Sequence, residues 1–244
     1  MMHWLYSGVF HRMQKSKDWT IKKYETVTST NDIAKESFCD ENKIVIVAKK
    51  QLSGRGRRGN IWISQSDNLF FSMLFRADTD ISNLTFVSSL SIAETISNIS
   101  DNIKPEIKWP NDVLIENKKV SGILIEGLPE QRVIIGIGVN TNSHPNETDF
   151  EATNIASRTT KINNDVFLRE YLQIFDKNYK LCLRDFGFIR QKWLKYATKL
   201  NQIIKVRRKN NAEEGIFRGI DEKGLLLLEQ NKKIQKIAVA EVFL

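Results

Sequence analysis

The stretch Gln51-Leu52-Ser53-Gly54-Arg55-Gly56-Arg57-Arg58-Gly59 sets three glycines and three arginines in its last six positions. Glycine lets a backbone turn through positive φ and lets a ligand come close to its N–H groups. Arginine supplies a permanent charge and a planar fork of donors that matches a carboxylate or phosphate. A loop of this composition is built to hold an anion. Before it, Lys43-Ile44-Val45-Ile46-Val47-Ala48 is a short apolar, β-branched run that reads as a buried strand. After it, Asn60-Ile61-Trp62-Ile63-Ser64 alternates polar and apolar residues, and Asn68-Leu69-Phe70-Phe71-Ser72-Met73-Leu74-Phe75 reads as a further strand. The loop is therefore expected to join strand to strand.

That context disposes of two tempting matches. Gly54, Gly56 and Gly59 have the G-x-G-x-x-G spacing of a dinucleotide-binding turn, but that turn must open a helix whose N-terminus meets the pyrophosphate. A β pattern follows here instead. A kinase glycine loop does lie between strands, and Asp185-Phe186-Gly187 spells D-F-G. Yet Lys49 precedes the loop rather than following it, and the sequence has no H-R-D segment. Asp185-Phe186-Gly187 reads better as a glycine stop on a helical stretch. The pattern G-x-x-x-x-G-K-[ST] is absent. A basic RNA-binding patch remains as an alternative, because Arg/Gly clusters serve there as well.

Composition bounds the class. With 244 residues, 41% hydrophobic and 27% charged, the chain suits one globular domain, or one large and one small. No apolar run approaches the ~20 residues that span a bilayer. Met1 to Phe10 lacks the layout of a secretory signal. Two cysteines, Cys39 and Cys182, offer no disulfide framework, so a reducing cytoplasm is the expected setting. His3, His11 and His144 are too scattered for a metal cluster or a Ser-His-Asp triad. The net charge of +8 comes from lysines spread along the chain, which permits polyanion binding without requiring it.

Along the chain, residues 1–19 show no clear period and read as an N-terminal tail. Ser29-Thr30-Asn31-Asp32 offers a cap to a short helix at Ile33-Ala34-Lys35-Glu36. Phe86 to Ile99 repeats apolar residues at helical spacing. Strands are expected over Glu106 to Trp109, Val113 to Ile115 and Val120 to Glu126, with a turn at Glu116-Asn117-Lys118. Val133-Ile134-Ile135-Gly136-Ile137-Gly138-Val139-Asn140 is a buried strand whose glycines suggest close approach of a ligand or backbone. Asp165 to Thr198 is helical. From Ile203 the pattern changes to short strands with turns at Asn210-Asn211 and Asp221-Glu222-Lys223-Gly224, a small β-barrel.

A second constellation is Lys108-Trp109-Pro110-Asn111-Asp112, followed seven residues later by Lys119. Adjacent residues of a strand point to opposite faces, so one of Lys118 and Lys119 faces solvent and the other faces inward. An inward ammonium must meet an anion, because burying it unpaired is costly.

Taken in order, Ser29-Thr30-Asn31, the arginine loop with Trp62, Lys108-Trp109-Pro110-Asn111-Asp112, Lys119-x-x-Gly122-Ile123-Leu124 and Gly136-Ile137-Gly138-Val139-Asn140 resemble the biotin protein ligases. The resemblance runs from about Tyr24 to the C-terminus and includes Gly215-Ile216-Phe217-Arg218-Gly219 and Gly224-Leu225-Leu226 near the end. It implies an α+β fold of the class II aminoacyl-tRNA synthetase type, a mixed β-sheet flanked by helices. The domains implied are a tail (1–19), a catalytic domain (20–200) and a small SH3-like barrel (201–244). It also implies a two-step reaction. Biotin's carboxylate attacks the α-phosphate of ATP to give biotinyl-5′-AMP, and a lysine of a biotin carboxyl carrier domain then takes the biotin.

By the same resemblance, Lys119, Arg55 and Arg57 are catalytic. Ser29, Thr30, Asn31, Gln51, Gly54, Gly56, Gly122, Leu124 and Gly136 join those three in holding biotin. Arg57, Arg58, Trp62, Asn111 and Asn140 serve ATP, which brings Mg²⁺; Asp112 is a possible ligand, but no carboxylate cage is visible. Long family members carry an N-terminal winged-helix DNA-binding domain. The segment before Tyr24 is too short for one, so no specific DNA binding is expected. No membrane partner is expected, and monomer and homodimer both stay open. A lipoate ligase would share the fold, but the arginine loop is of the biotin type. An RNA-binding module would instead need exposed aromatic platforms, for which Leu69-Phe70-Phe71 is the candidate run.

Overall fold

The architecture follows from two runs too apolar to face water, Leu69 to Phe75 and Val133 to Val139. In the computed structural model, which describes residues 10–16, 18–37, 43–146, 148, 150–208, 211–238 and 241–243, the elements come in the order β1 (Phe10–Ser16), β2 (Trp19–Val27), α1 (Thr30–Glu36), β3 (Lys43–Gln51), β4 (Leu69–Arg76), α2 (Ile81–Ile99), β5 (Pro105–Lys108), β6 (Asp112–Ile115), β7 (Lys118–Gly127), β8 (Arg132–Val139), α3 (Asn164–Arg184), α4 (Phe186–Tyr196), β9 (Ile203–Arg208), β10 (Asn211–Ile220), β11 (Leu226–Gln230), β12 (Lys233–Ile237) and β13 (Glu241–Phe243). Two compact units share the chain, Met1–Ile81 with Val120–Arg169 and Ser82–Lys119 with Glu170–Leu244.

In the first unit the strands lie in the order β1-β2-β3-β4-β8-β7. The β2–β3 pair is parallel and the others are antiparallel, so the sheet is mixed. Leu69 to Phe75 of β4 and Val133 to Val139 of β8 are buried without a break. Continuous burial is the mark of strands covered on both faces, which is why these runs are apolar at nearly every position, Ser72 excepted, instead of alternating. On one face α1 packs Ile33 and Ala34 against Val27, Ile44, Ile46, Ala48, Leu74 and Ile134. Trp19 meets Phe75 edge to face, with ring centroids 5.6 Å apart.

The second unit holds the β5–β6 hairpin, α2, α4 and a five-stranded antiparallel sheet in the order β12-β11-β10-β9-β13. The β10–β11 register shifts between Phe217 and Gly219, the kind of irregularity that bends a strand. Phe86 of α2 packs edge-on against Phe186 and Trp193 of α4, and Trp193 Nε1 donates to Ser89 Oγ at 3.1 Å. Trp109, at the end of β5, donates from Nε1 to the carbonyl oxygen of Gly224 at 3.0 Å. Gly224 sits at φ +76°, and a Cβ there would overlap the Phe86 ring. Among the described residues no helix is long and apolar enough to cross a membrane.

Several expectations need correction. Phe10–Ser16 is a strand paired with β2, although the sequence there reads as a tail. Residues 60–64 form no regular strand; among named pairings they contribute one bridge, Arg55 with Ile61. Their hydrogen-bonding groups are spent on the loop itself, Gly56 N–H on Asn60 O and Trp62 N–H on Gly54 O. The helical stretch 165–198 breaks at Asp185, but not through a glycine stop. Asp185 caps the next helix by accepting from Gly187 N–H, and Gly187 lies inside the first turn of α4. Cys39, His3 and Asn210 lie outside the described residues.

Candidate active site

Ser29 starts the site as the cap of α1. Its backbone is extended and its side chain accepts from Asn31 N–H, which satisfies one of the donors a helix leaves open at its N-terminus. The cap holds Thr30 and Asn31 at the base of the helix, where both are buried. Buried polar groups need partners, and these have them. Thr30 donates to Gln51 Oε1 through its N–H at 2.9 Å and through its hydroxyl at 3.0 Å. Gln51 Nε2 in turn donates to Ser64 Oγ at 3.2 Å. Ser72 Oγ, fully buried in β4, lies 2.7 Å from Thr30 Oγ1 and 2.6 Å from Asn31 Oδ1. Asn31 Nδ2 donates to Glu126 Oε2 at 2.5 Å.

The glycines of the sheet make room for these side chains. A Cβ at Gly136 would overlap the Asn31 amide, and one at Gly138 would overlap the Trp62 indole. Register aligns Leu124 with Gly136 and Gly122 with Gly138. Neighbouring strands thus present a floor without bulk below a cluster of amide and hydroxyl groups. Asn140, just past β8, is 2% exposed, and its Oδ1 accepts no hydrogen bond. An acceptor left so costs roughly 1–3 kcal/mol unless something fills it.

The arginine loop is tied at its base. Leu52 and Ser53 N–H groups donate to Val27 and Thr28 carbonyls at 2.9 and 2.8 Å. Arg57-Arg58-Gly59 forms a tight 3-10 turn with Arg58 at φ 56°. The Arg55 guanidinium forks onto Asp32, with Nη1 to Oδ2 at 2.9 Å and Nη2 to Oδ1 at 2.7 Å. Glu126 Oε2 lies 3.8 Å from Arg55 Nη2. The hydrogen bond with Asp32 leads in raising the Arg55 pKa above its ordinary value; burial opposes it, and the charges of Asp32 and Glu126 add to it.

In the second unit Lys119 Nζ pairs with Asp112 Oδ1 at 2.8 Å. Both side chains are mostly shielded, at 17% and 18% exposure, whereas Lys118 is exposed. The inward lysine therefore meets its anion inside the chain. Asn111, on the same turn, is 9% exposed. Among the described residues no three His, Cys, Asp or Glu side chains gather as a metal site.

The structure thus brings Ser29, Thr30, Asn31, Gln51, Gly54, Arg55, Gly122, Leu124, Gly136 and Trp62 into one region of the first unit, and sets Asn111 with Lys119 in the second. Sequence reasoning missed Ser72, Asp32 and Glu126. Ser72 looks like a gap in an apolar strand, and its partners lie about forty residues away.

Known proteins resemble this chain over most of its length. Residues 24–140 match the biotin/lipoate A/B protein ligase family, and residues 199–244 match the biotin protein ligase C-terminal domain. A bifunctional ligase/repressor of Bacillus subtilis is 33% identical over 236 residues, 90% of this chain and 72% of that protein. A biotin–[acetyl-CoA-carboxylase] ligase of Paracoccus denitrificans is 33% identical over 213 residues, 81% of this chain and 89% of that protein. The solved structure of an Aquifex aeolicus biotin protein ligase with biotin and ATP superposes with a TM-score of 0.82 at 29% identity, covering 91% of this chain and 97% of that one. Matched by both of these family models, and one-third identical to a biotin–[acetyl-CoA-carboxylase] ligase of which it covers 89%, the chain belongs to the biotin protein ligase family.

Proposed function

We infer that the chain is an ATP-dependent biotin–protein ligase, which makes biotinyl-5′-AMP and passes the biotin to a lysine of a biotin carboxyl carrier domain. The observation that carries the reading is the hydrogen-bonded cluster of buried Thr30, Asn31 and Ser72 with half-buried Gln51 over Gly136. A ureido ring is neutral, flat and rich in donors and acceptors, and it wants such partners. Gly122, Leu124 and Gly136 line the slot for the ring and tail. By likeness to the family, Arg55 and Arg57 are assigned to the acid and the phosphate, and so is Lys119. Trp62, Arg58, Asn111 and Asn140 serve the nucleotide, with the spare acceptor of Asn140 suited to an amino group.

In the first step a carboxylate oxygen bonds to the α-phosphorus and the bond to pyrophosphate breaks. In the second, the acceptor amine attacks the acyl carbon, AMP leaves and an amide forms. Neither step needs a nucleophile from the protein. What the chain must supply is orientation of two anions and fixed positive charge where negative charge builds up. The shielded Lys119 and the arginine loop answer that need. Asp112, already holding Lys119, offers one carboxylate, which together with phosphate oxygens and waters suits Mg²⁺. Bound with ATP, that ion would neutralise phosphate charge. The reaction belongs in the cytoplasm, where ATP and the carboxylases meet.

The test is ATP–pyrophosphate exchange with biotin and lipoate run side by side. Exchange with biotin alone is expected. Exchange with lipoate alone would move the chain to the lipoate branch, and exchange with neither would remove the reading.

A further inference from the structure

We propose that Asp32 is a positioning residue that parks Arg55, and that the carboxylate of the incoming acid must displace it. The inference rests on reading the Thr30–Asn31–Gln51 cluster as the biotin pocket. Asp32 follows Asn31 directly, on the first turn of α1. Both terminal nitrogens of Arg55 are spent on its two oxygens, at 2.9 and 2.7 Å. The bidentate fork is the geometry a guanidinium uses to recognise a carboxylate. A ligand carboxylate that reaches the Arg55 guanidinium therefore finds it already holding one, with Glu126 3.8 Å away on the same nitrogen.

The two acids do different work. Glu126 accepts from Asn31 Nδ2 while Ser72 occupies Asn31 Oδ1, so Glu126 fixes which way the Asn31 amide faces. Asp32 touches the arginine. Exchange of Asp32 for the ligand lowers the net gain on binding the acid, because one ion pair is lost as another forms. That arrangement keeps the ground state from being held as tightly as the transition state, which is the condition for using binding energy in the chemical step. It also docks the loop on α1 before any ligand arrives.

The experiment is calorimetric titration of the full chain with biotin and with biotinamide, which keeps the ring and tail but carries no charge. Wild type, Asp32→Asn and Glu126→Gln are compared through the ratio of the two affinities, a ratio that cancels any partly unfolded fraction. Asp32→Asn is expected to raise the preference for biotin over biotinamide by about two- to fivefold, the size of a partly exposed ion pair. Glu126→Gln is expected to weaken both ligands through the Asn31 amide it orients and to shift the ratio by clearly less than Asp32→Asn does, since Asp32 grips Arg55 with both oxygens and Glu126 stands 3.8 Å from one nitrogen. An unchanged or smaller preference in Asp32→Asn, with wild type binding both ligands, overturns the inference alone. A shift of the ratio in Glu126→Gln equal to that in Asp32→Asn overturns the division of labour and the inference with it. Wild type that binds neither ligand removes the biotin reading and the inference together.

Discussion

A single methyl group tests the pocket. A Cβ at Gly136 would overlap Asn31 Oδ1, and Asn31 cannot step aside because Ser72 and Glu126 hold both ends of its amide. Gly136→Ala should weaken biotin binding tenfold or more, while unfolding in urea loses only about 1–3 kcal/mol, the usual penalty for overpacking. Retained biotin affinity would take Gly136 out of the site. The neighbouring lysines offer a sharper contrast. Counting back along β7 by twos from Glu126 reaches Leu124, Gly122, Val120 and Lys118, so strict alternation groups Lys118 with the glycine face. Burial and the Asp112 ion pair favour Lys119 instead. Lys119→Ala should cut pyrophosphate exchange by about 10²–10³, as loss of a fixed cation at developing charge does, and Lys118→Ala should be close to neutral. Swapped phenotypes would show that alternation, and not shielding, decides which lysine acts. At this scale the sequence was legible where a motif named the residue, as with Thr30, Asn31 and Gln51. It was silent on Ser72, Asp32 and Glu126, whose roles arise from partners about 20 to 95 residues away.

The arginine loop is the element whose behaviour matters most. Its base is hydrogen-bonded to the end of β2 and the residue after it, and its tip turns through Arg58 in a left-handed conformation. Arg57→Gly would add a fourth glycine to this tip and remove one cation. Adenylate should still form, because Lys119 remains, but it should escape sooner. The readout is biotinylation of lysines on a bystander protein, together with faster release of the intermediate. Complete loss of adenylation with no labelling would assign Arg57 to the first chemical step instead. The elements that sequence made plain are those with long apolar runs, β4 and β8, which are buried almost throughout, and β3, whose Ile44 to Ile46 are buried. The strand β1 was not plain, because it lies at the edge of the sheet. An edge strand needs backbone pairing on one side only and can tolerate polar residues that show no period, as Phe10-His11-Arg12-Met13-Gln14-Lys15-Ser16 does. The run 60–64 misled for the opposite reason: it alternates like a strand, yet Trp62 is turned onto Gly138.

At the scale of the molecule, the turn Asp221 to Leu225 ties β12 and the residue after β5 together within the second unit. Asp221 is 4% exposed, and burial pushes its carboxyl up. Lys236 at 2.8 Å and the N–H groups of Leu225 and Lys223 outweigh burial and hold it below its ordinary value. A carboxyl depressed on folding stabilises above its unfolded pKa, and that contribution is lost as pH falls through the folded value. The gap in urea midpoint between wild type and Asp221→Asn should thus be widest near neutrality and close below about pH 4, where free carboxyls protonate; a gap that persists in acid would point to packing instead. The same turn presents the Gly224 carbonyl to Trp109, whose indole is 5% exposed. Trp109→Phe keeps the ring packing and deletes the donor, leaving a buried oxygen without it at a cost of about 1–3 kcal/mol. Three residues further on stands Asp112, the partner of Lys119. The variant should therefore lower kcat for pyrophosphate exchange while the biotin affinity, set by Thr30, Asn31 and Gln51 in the other unit, stays within about twofold, a difference of a few tenths of a kcal/mol. Equal loss of kcat and biotin affinity would mean that the hydrogen bond supports folding in general, and not the placement of the lysine.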